Sequence, residues 1–237
     1  MSHSIDATHG PVVLLTRPAA ASARFAQMLD GFETVISPVL QTRFLEPAID
    51  LTGCDAVVFT SANGVEALAK LTVARDLVAF CVGERTAELA RSHGFDAVSA
   101  QGTVADLTGL LAERHAGDQV FYARGQDVAH DLGTLLRSHN IRVVDAVVYS
   151  QESTDLSSAA TKLLKSQATV LVPLFSPRTA TIFASHLQSE MTAPRIGLCL
   201  SDQVRANCPD DQFATLAVCA HPDAKSMLHL IQSYQAS

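Results

Sequence analysis

The sequence predicts an α/β protein made of two similar doubly wound parallel-sheet domains, flavodoxin-like or Rossmann-like, joined by two strand-like linkers. Short β-rich runs alternate with amphipathic helical patterns along almost the whole chain. A strand followed by a helix, repeated, is typical of parallel sheets with helices on both faces. The runs are too numerous for one sheet, which favours two. In chain order they are PVVLLT, TVISPV, DAVVFT, VAFCVG, DAVSA, QVFYA, RVVDAVVY, TVLVPLF, RIGLCL and TLAVCA.

An internal repeat supports the division into two domains. The stretch FTSANGVEALAKL is similar to FSPRTATIFASHL further along the chain, and each follows a β-rich run. In the same way FCVGERTAELARSHGF pairs with LCLSDQVRANCPDDQF, and VLLTRP pairs with VFYARG. The chain therefore reads as two copies of one α/β unit.

The order of the copies predicts where the chain is divided. If the first strands stay with the last, residues 1–38 and 153–237 form a discontinuous domain 1, and residues 39–152 form an inserted domain 2. The chain then crosses between the domains in two strand-like linkers, near residues 37–44 and 147–155. Two short crossings carry few contacts between domains, so this connection permits hinge motion.

Composition and charge argue against several classes of protein. With 237 residues, 48% of them hydrophobic and 17% charged, the chain is long enough to bury a large core. A net charge of −7 gives no broad attraction to nucleic acid or to anionic lipid. Because the sequence has no apolar run of membrane-spanning length and no signal-peptide pattern, a cytoplasmic protein is expected. The five cysteines show no C-x-x-C spacing, which favours buried thiols over disulfides or zinc ligands.

Basic and hydroxyl residues follow several predicted strands, at the positions where doubly wound sheets bind ligands. Arg17 and Arg124 each lie just past a strand. Ser61 and Ser176 occupy N-cap positions, where free backbone N–H groups and the helix dipole favour an anion. The structural alternative is an arginine that is solvated or paired with a nearby acid, and a simple helix cap for each serine. The recurrence at equivalent strand ends favours ligand binding.

Two further residues extend this pattern, and several well-known motifs do not occur. Thr86 lies in a similar strand-to-helix turn, VGERTAEL, and Tyr149 ends a long apolar strand. The structural alternatives are a helix cap for Thr86 and ordinary packing for Tyr149. The sequence contains no G-x-x-x-x-G-K-[ST], G-x-G-x-x-G, H-E-x-x-H or G-x-S-x-G motif. It therefore indicates an anion site without the signature of a nucleotide, a metal or a catalytic triad.

Taken together, these stretches resemble the uroporphyrinogen-III synthase family. The resemblance covers most of the chain in the right order. It implies a cofactor-free cyclising lyase of tetrapyrrole biosynthesis that closes hydroxymethylbilane to uroporphyrinogen III, inverting the last pyrrole ring through a spiro intermediate. It also implies a cleft between the domains that holds the two ends of the linear substrate together. The stretches that carry it are VLLTRP, ISPVLQTRF, VVFTSANGVEAL, FCVGERTAELARSHGF, GTVADLTGLL, YARG, VVYSQES and FSPRTATIF.

The resemblance also implies roles for individual residues. Ser61, Thr86 and Ser176 would contact substrate carboxylates. Tyr149 would lie near the leaving hydroxyl as an assisting proton donor. The substrate-binding residues expected in all are Arg17, Thr60, Ser61, Ala62, Thr86, Arg124, Gly125, Ser176, Arg178 and Thr179.

The expected partners follow from the same resemblance. We expect a small-molecule substrate, the linear tetrapyrrole hydroxymethylbilane, and neither a metal, a nucleic acid nor a membrane. The protein is expected to act as a monomer, with transient contact with hydroxymethylbilane synthase.

The second copy departs from the family pattern at one turn. Where the first copy reads VGERT, the second reads LSDQV, with Ser201 and Val204 in place of glycine and threonine. One carboxylate contact would therefore be lost there, or supplied by Arg178 or Thr179. The alternative hypothesis is a non-catalytic two-domain hinge protein, or a decayed synthase, that binds a small anionic ligand, since fold does not fix function.

Overall fold

The computed structural model describes residues 10–115, 117–128 and 131–234, which form two sheets flanked by helices. The strands are β1 (Val12–Leu15), β2 (Thr34–Ile36), β3 (Leu40–Phe44), β4 (Ala56–Phe59), β5 (Val78–Cys81), β6 (Ala97–Ser99), β7 (Gln119–Gly125), β8 (Arg142–Ser153), β9 (Val170–Leu174), β10 (Arg195–Cys199) and β11 (Thr215–Val218). The helices are α1 (Ala19–Ala26), α2 (Ala62–Leu71), α3 (Glu84–Ser92), α4 (Val104–Arg114), α5 (Leu132–Arg137), α6 (Ser158–Leu164), α7 (Pro177–Ser185), α8 (Asp202–Arg205) and α9 (Ala224–Gln232). The α/β class and the parallel sheets confirm the predicted fold class.

The chain divides into two compact units. Unit 1 comprises Met1–Gln41 and Glu152–Ser237, and unit 2 comprises Thr42–Gln151. Predicted domain 1 ends at residue 38 and resumes at residue 153, whereas unit 1 ends at Gln41 and resumes at Glu152. Of the residues assigned to the two predicted domains, 1–9, 116, 129–130 and 235–237 lie outside the described residues.

Unit 1 is built on a parallel sheet with strand order β11-β10-β9-β1-β2. Every residue of β1 is buried, because the sheet is covered on both faces. Leu14 packs into one face with Phe183, and Leu15 packs into the other with Phe25. Since the strands are parallel, the segments that follow β1, β9 and β10 emerge at one edge of the sheet.

Unit 2 has the strand order β3-β8-β7-β4-β5-β6, and β4 to β8 pair in parallel. Phe59 and Phe121 pack into one face, whereas Val58 and Phe80 pack into the other. The carboxyl ends of β4, β5 and β7 again share one edge. The predicted site residues of this unit follow β4 or β5, end β7 or, for Tyr149, lie within β8 opposite the end of β7.

The predicted linker near residues 37–44 contains β3, and the one near residues 147–155 overlaps the second half of β8. Strands β3 and β8 are adjacent in the sheet. The backbone N–H of Leu45 donates to the carbonyl of Val148 at 2.9 Å, and that of Thr154 donates to the carbonyl of Val39 at 3.1 Å. The partner number falls as the residue number rises, so β3 and β8 run antiparallel.

Helix α2 lies so close to β7 that one of its positions leaves no room for a Cβ atom without a shift of the backbone. A Cβ on Gly64 would lie 2.6 Å from the carbonyl oxygen of Ala123, which is backbone and cannot turn aside. We expect Gly64→Ala to lower the free energy of unfolding by about 1–3 kcal/mol, the usual cost of overpacking. Chemical denaturation measures this loss.

The matched control for this prediction is Gly109→Ala in α4. A Cβ at Gly109 would meet no atom within 4 Å, so alanine there should leave stability unchanged or raise it by up to about 1 kcal/mol through helix propensity. Equal stability of the Gly64 variant and the unaltered protein would contradict the close approach of α2 to β7.

Candidate functional site

A cavity of about 220 Å³ opens at the carboxyl edge of the unit 2 sheet. Four residues expected from the sequence line it: Thr60, Ser61, Gly125 and Tyr149. Thr60 and Ser61 follow β4, Gly125 ends β7, and Tyr149 is the register partner of Gly125 on β8. The strand order β8-β7-β4 places these strands side by side. The structure therefore brings together polar groups that lie far apart in the sequence.

Ser61 caps the helix that begins at this cavity. Its backbone is extended, with φ −155° and ψ 146°, and its Oγ accepts the N–H of Asn63 at 3.2 Å. The side-chain amide of Asn63 donates to Thr42 Oγ1 at 3.3 Å. Ala62 is the first helical residue, so its N–H is one of those without an intrahelical acceptor. This helix start offers neutral donors and a favourable dipole to an anion.

The ring of Tyr149 packs directly against Gly125. The two residues are partners in the β7–β8 register, just after an irregularity at Arg124. A Cβ on Gly125 would lie 2.7 Å from Tyr149 Cζ and 2.9 Å from its hydroxyl oxygen. The absence of a side chain at Gly125 therefore gives the tyrosine room in the cavity wall.

Sequence reasoning missed Tyr122, which also lines this cavity. Its side chain comes from β7 and is 5% exposed, and its hydroxyl oxygen lies 2.8 Å from Thr60 Oγ1. Burial raises the pKa of Tyr122, and the hydrogen bond with Thr60 opposes that rise. The feature of the sequence that could have indicated Tyr122 is its position as the first residue of the YARG stretch.

Arg124 lies beside this cavity rather than in it. Its guanidinium forms an ion pair with Asp145 on the neighbouring strand β8 and donates to the carbonyl of Gly125 at 3.1 Å. It lines an adjoining cavity of about 250 Å³, together with Tyr122 and Asp145. Asp145 therefore balances much of the positive charge of Arg124. Pairing with a nearby acid is the structural alternative to ligand binding for this arginine.

Thr86 is buried in the first turn of α3 and is not among the residues that line the Tyr149 cavity. Its N–H donates to the carbonyl of Gly83 at 3.0 Å, closing the turn. The expected carboxylate contact of Thr86 remains a prediction.

Helix α7 of unit 1 begins like α2 of unit 2. Ser176 Oγ accepts the N–H of Thr179 at 3.2 Å and donates to Thr179 Oγ1 at 2.9 Å. Pro177 is the first helical residue, and the exposed Arg178 is the second. The hydroxyl and N–H of Thr179 are thus already engaged in the cap.

Arg17 lies at the same edge of unit 1, just past β1. Its guanidinium carbon lies 4.1 Å from the centroid of the Phe175 ring, a cation–π contact. The carbonyl of Arg17 accepts the hydroxyl of Ser22 at 2.8 Å. These contacts fix the residue beside the segment that follows β9.

The LSDQV turn of unit 1 has nearly the same backbone conformation as the VGERT turn of unit 2, although two residues differ. Ser201 adopts φ −156° and ψ 168°, close to the −162° and 167° of Gly83, and any residue adopts this extended conformation. Ser201 Oγ accepts the N–H of Val204 at 3.4 Å, so serine caps α8. Val204 is 2% exposed and packs into the core, where it offers no hydroxyl.

The part of the chain that the structure describes holds no cluster of three or more His, Cys, Asp or Glu side chains able to bind a metal. Within the same ranges, no helix combines the length and the apolar character needed to cross a bilayer. All five cysteines are buried and free.

The comparison with protein families decides which family this fold represents. The family model described as uroporphyrinogen-III synthase HemD matches residues 24–229. The chain belongs to the uroporphyrinogen-III synthase family. The resemblance carried by the sequence stretches is therefore confirmed, and membership in this family supports a cyclising lyase.

Solved structures of uroporphyrinogen-III synthases share the fold. The uroporphyrinogen-III synthetase from Helicobacter pylori matches with a TM-score of 0.67 and 19% identity, over 94% of this chain and 99% of that chain. A mutant uroporphyrinogen III synthase from Thermus thermophilus matches with a TM-score of 0.52 and 14% identity, over 94% of this chain and 98% of that chain. Identities this low show the fold and not the roles of residues. A search of curated proteins found no match.

Proposed function

We propose that this protein cyclises hydroxymethylbilane to uroporphyrinogen III in tetrapyrrole biosynthesis, inverting the last pyrrole ring through a spiro intermediate. One observation carries the proposal: the region matched by the family model contains Thr60, Ser61, Gly125 and Tyr149, which line one cavity at a sheet edge. The carboxyl ends of parallel strands are where this class of fold binds ligands.

The cavity of unit 2 is suited to one acidic arm of the substrate. At about 220 Å³ it is smaller than the roughly 300–1,000 Å³ typical of pockets that hold a whole ligand. The donors proposed there are hydroxyls and the backbone N–H of Ala62 at the start of α2, which bind a carboxylate without a lysine. Asp127 also lines the cavity, and these donors must outweigh its negative charge. Neutral donors of this kind fit a chain with a net charge of −7.

The start of α7 is the corresponding place in unit 1. Pro177 has no N–H, and the N–H of Thr179 is engaged by Ser176. The donors proposed there are therefore the backbone N–H and guanidinium of Arg178. Arg17, at the same sheet edge, supplies a second positive charge.

Tyr149 is the proposed catalytic residue. Its hydroxyl assists departure of the terminal hydroxyl of the substrate by donating a proton, as a weak general acid. Loss of that hydroxyl leaves an azafulvenium cation, which attacks the substituted carbon of the last ring. The resulting spiro intermediate fragments and recloses with that ring inverted. Most of the catalysis is positional, because the reacting ends must be held in one geometry.

The assay that tests this function measures which isomer forms. Purified protein is incubated with freshly prepared hydroxymethylbilane, and the type I and type III products are resolved chromatographically. We expect type III to predominate, with or without a chelator. If only type I forms, at the spontaneous rate, the proposal fails and the non-catalytic anion-binding alternative replaces it.

Replacing Ala62 with proline tests the backbone donor at the start of α2. Proline is well tolerated at the first helical position, as Pro177 shows in α7, and the extended Ser61 suits a following proline. The variant should fold normally but lack one N–H. We expect the affinity for uroporphyrinogen III to fall about fivefold, since a neutral hydrogen bond contributes about 1 kcal/mol net.

Two serine variants complete this experiment. Ser61→Ala and Ser176→Ala should each weaken product binding only modestly, and each should cost about 1 kcal/mol of stability through the lost cap. Calorimetric titration and thermal melts separate these two effects. Unchanged binding in all three variants would mean that the substrate binds at other strand ends.

A further inference from the structure

The inference concerns a pair of hydroxyl groups inside unit 2. The Tyr122 hydroxyl lies 2.8 Å from Thr60 Oγ1, and either oxygen can be the donor. The Tyr122 side chain is 5% exposed, whereas Thr60 is only partly buried. Both residues line the cavity that also contains Tyr149. The phenol thus reaches the cavity wall beside the threonine and is hydrogen-bonded to it.

The direction of this hydrogen bond determines what Thr60 can offer a ligand. Only one hydrogen lies between the two oxygens. If Thr60 donates to Tyr122, Thr60 presents only lone pairs to the cavity. If Tyr122 donates, the hydrogen of Thr60 is available to a ligand.

A carboxylate in the cavity favours the second arrangement. An ionised carboxylate only accepts hydrogen bonds, so it binds Thr60 when Thr60 donates. A phenol is a stronger acid than an aliphatic alcohol and is the better donor of the pair. Burial raises the pKa of Tyr122, so its hydroxyl keeps its hydrogen through neutral pH.

We propose that Tyr122 is a positioning residue whose hydroxyl donates to Thr60 and thereby directs the Thr60 hydrogen towards a substrate carboxylate. The identity of the substrate rests on the proposed function. The hydroxyl chain itself requires only a carboxylate in the cavity. Tyr122 acts through Thr60 and does not touch the reacting carbon atoms.

A double-mutant cycle tests this proposal. Tyr122→Phe keeps the ring and removes the hydroxyl, and Thr60→Val keeps the shape of the threonine and removes its hydroxyl. Each single variant should raise KM about fivefold with kcat nearly unchanged, since one hydrogen bond to the ligand is weakened or lost. The double variant should show the KM of Thr60→Val alone, because Tyr122 has no effect without the threonine hydroxyl.

Two further variants separate positioning from a structural role. Thr60→Ser retains a hydroxyl, so Tyr122→Phe should still raise KM in that background. Tyr234→Phe, in the segment after α9, removes a tyrosine hydroxyl from unit 1 and should leave KM unchanged. Melting temperatures are recorded for every variant.

The outcomes distinguish the two proposals. If Tyr122→Phe lowers the melting temperature but leaves KM unchanged, its hydroxyl is only structural and this inference is overturned. Equal effects of Tyr122→Phe with and without the Thr60 hydroxyl also overturn it. If the unaltered protein makes no type III isomer, the proposed function fails. In that case the Kd of uroporphyrin III is measured for each variant of the cycle instead of KM. Each single variant should raise this Kd about fivefold, and the double variant should show the Kd of Thr60→Val alone.

Discussion

Tyr149→Phe is expected to lower kcat about 100-fold while product affinity stays within about twofold. General acids contribute roughly 100-fold or more to catalysis, and this substitution removes only the proton donor. The phenyl ring still packs against Gly125, so the cavity keeps its shape. Initial rates with hydroxymethylbilane and product titration measure the two quantities.

The control for Tyr149→Phe is Tyr234→Phe in unit 1, which should turn over at the normal rate. Normal turnover in the Tyr149 variant would remove the proton-donor role. A loss of affinity as large as the loss of kcat would assign Tyr149 to binding.

Gly125→Ala is expected to reduce turnover at least as much as Tyr149→Phe. The new Cβ would lie 2.7–2.9 Å from the end of the Tyr149 ring, so the ring must swing away from its place in the cavity. The atoms in conflict belong to the tip of a side chain, so we expect the melting temperature to fall by no more than about 5 °C. Turnover and thermal melts test both parts.

The double variant Gly125→Ala with Tyr149→Phe sharpens this prediction. If alanine acts by displacing Tyr149, the double variant should be about as active as Gly125→Ala alone, since the hydroxyl is already out of place. Gly109→Ala is the matched glycine control and should be fully active. A Gly125→Ala enzyme with normal turnover would show that the position of the ring is unimportant.

The local features of this protein could be predicted from the sequence. Ser61 and Ser176 were predicted to be N-caps, and both cap their helices. Capping depends on a few adjacent residues, so the pattern is visible along the chain. The β-rich runs likewise predicted the parallel strands, because strands buried on both faces read as continuous apolar segments.

The contacts between distant residues could not be predicted in this way. Thr60 and Tyr122 meet only because β4 and β7 are neighbours in the sheet. The partner of Arg124 depends on the register of β7 and β8, which places Asp145 within reach. Strand order and register are set by the whole fold, and one sequence does not reveal them. The expected roles of the site residues in binding and catalysis therefore remain predictions.

The antiparallel pairing of β3 with β8 bears on how such a chain can arise. The hydrogen bonds of Leu45 with Val148 and of Thr154 with Val39 place the start and the end of unit 2 side by side. A segment whose two ends emerge together can be inserted into a host without separating the host's own strands. The internal repeat, however, pairs β1 with β7 and β4 with β9, so each unit combines strands of both copies and the chain order corresponds to a tandem duplication.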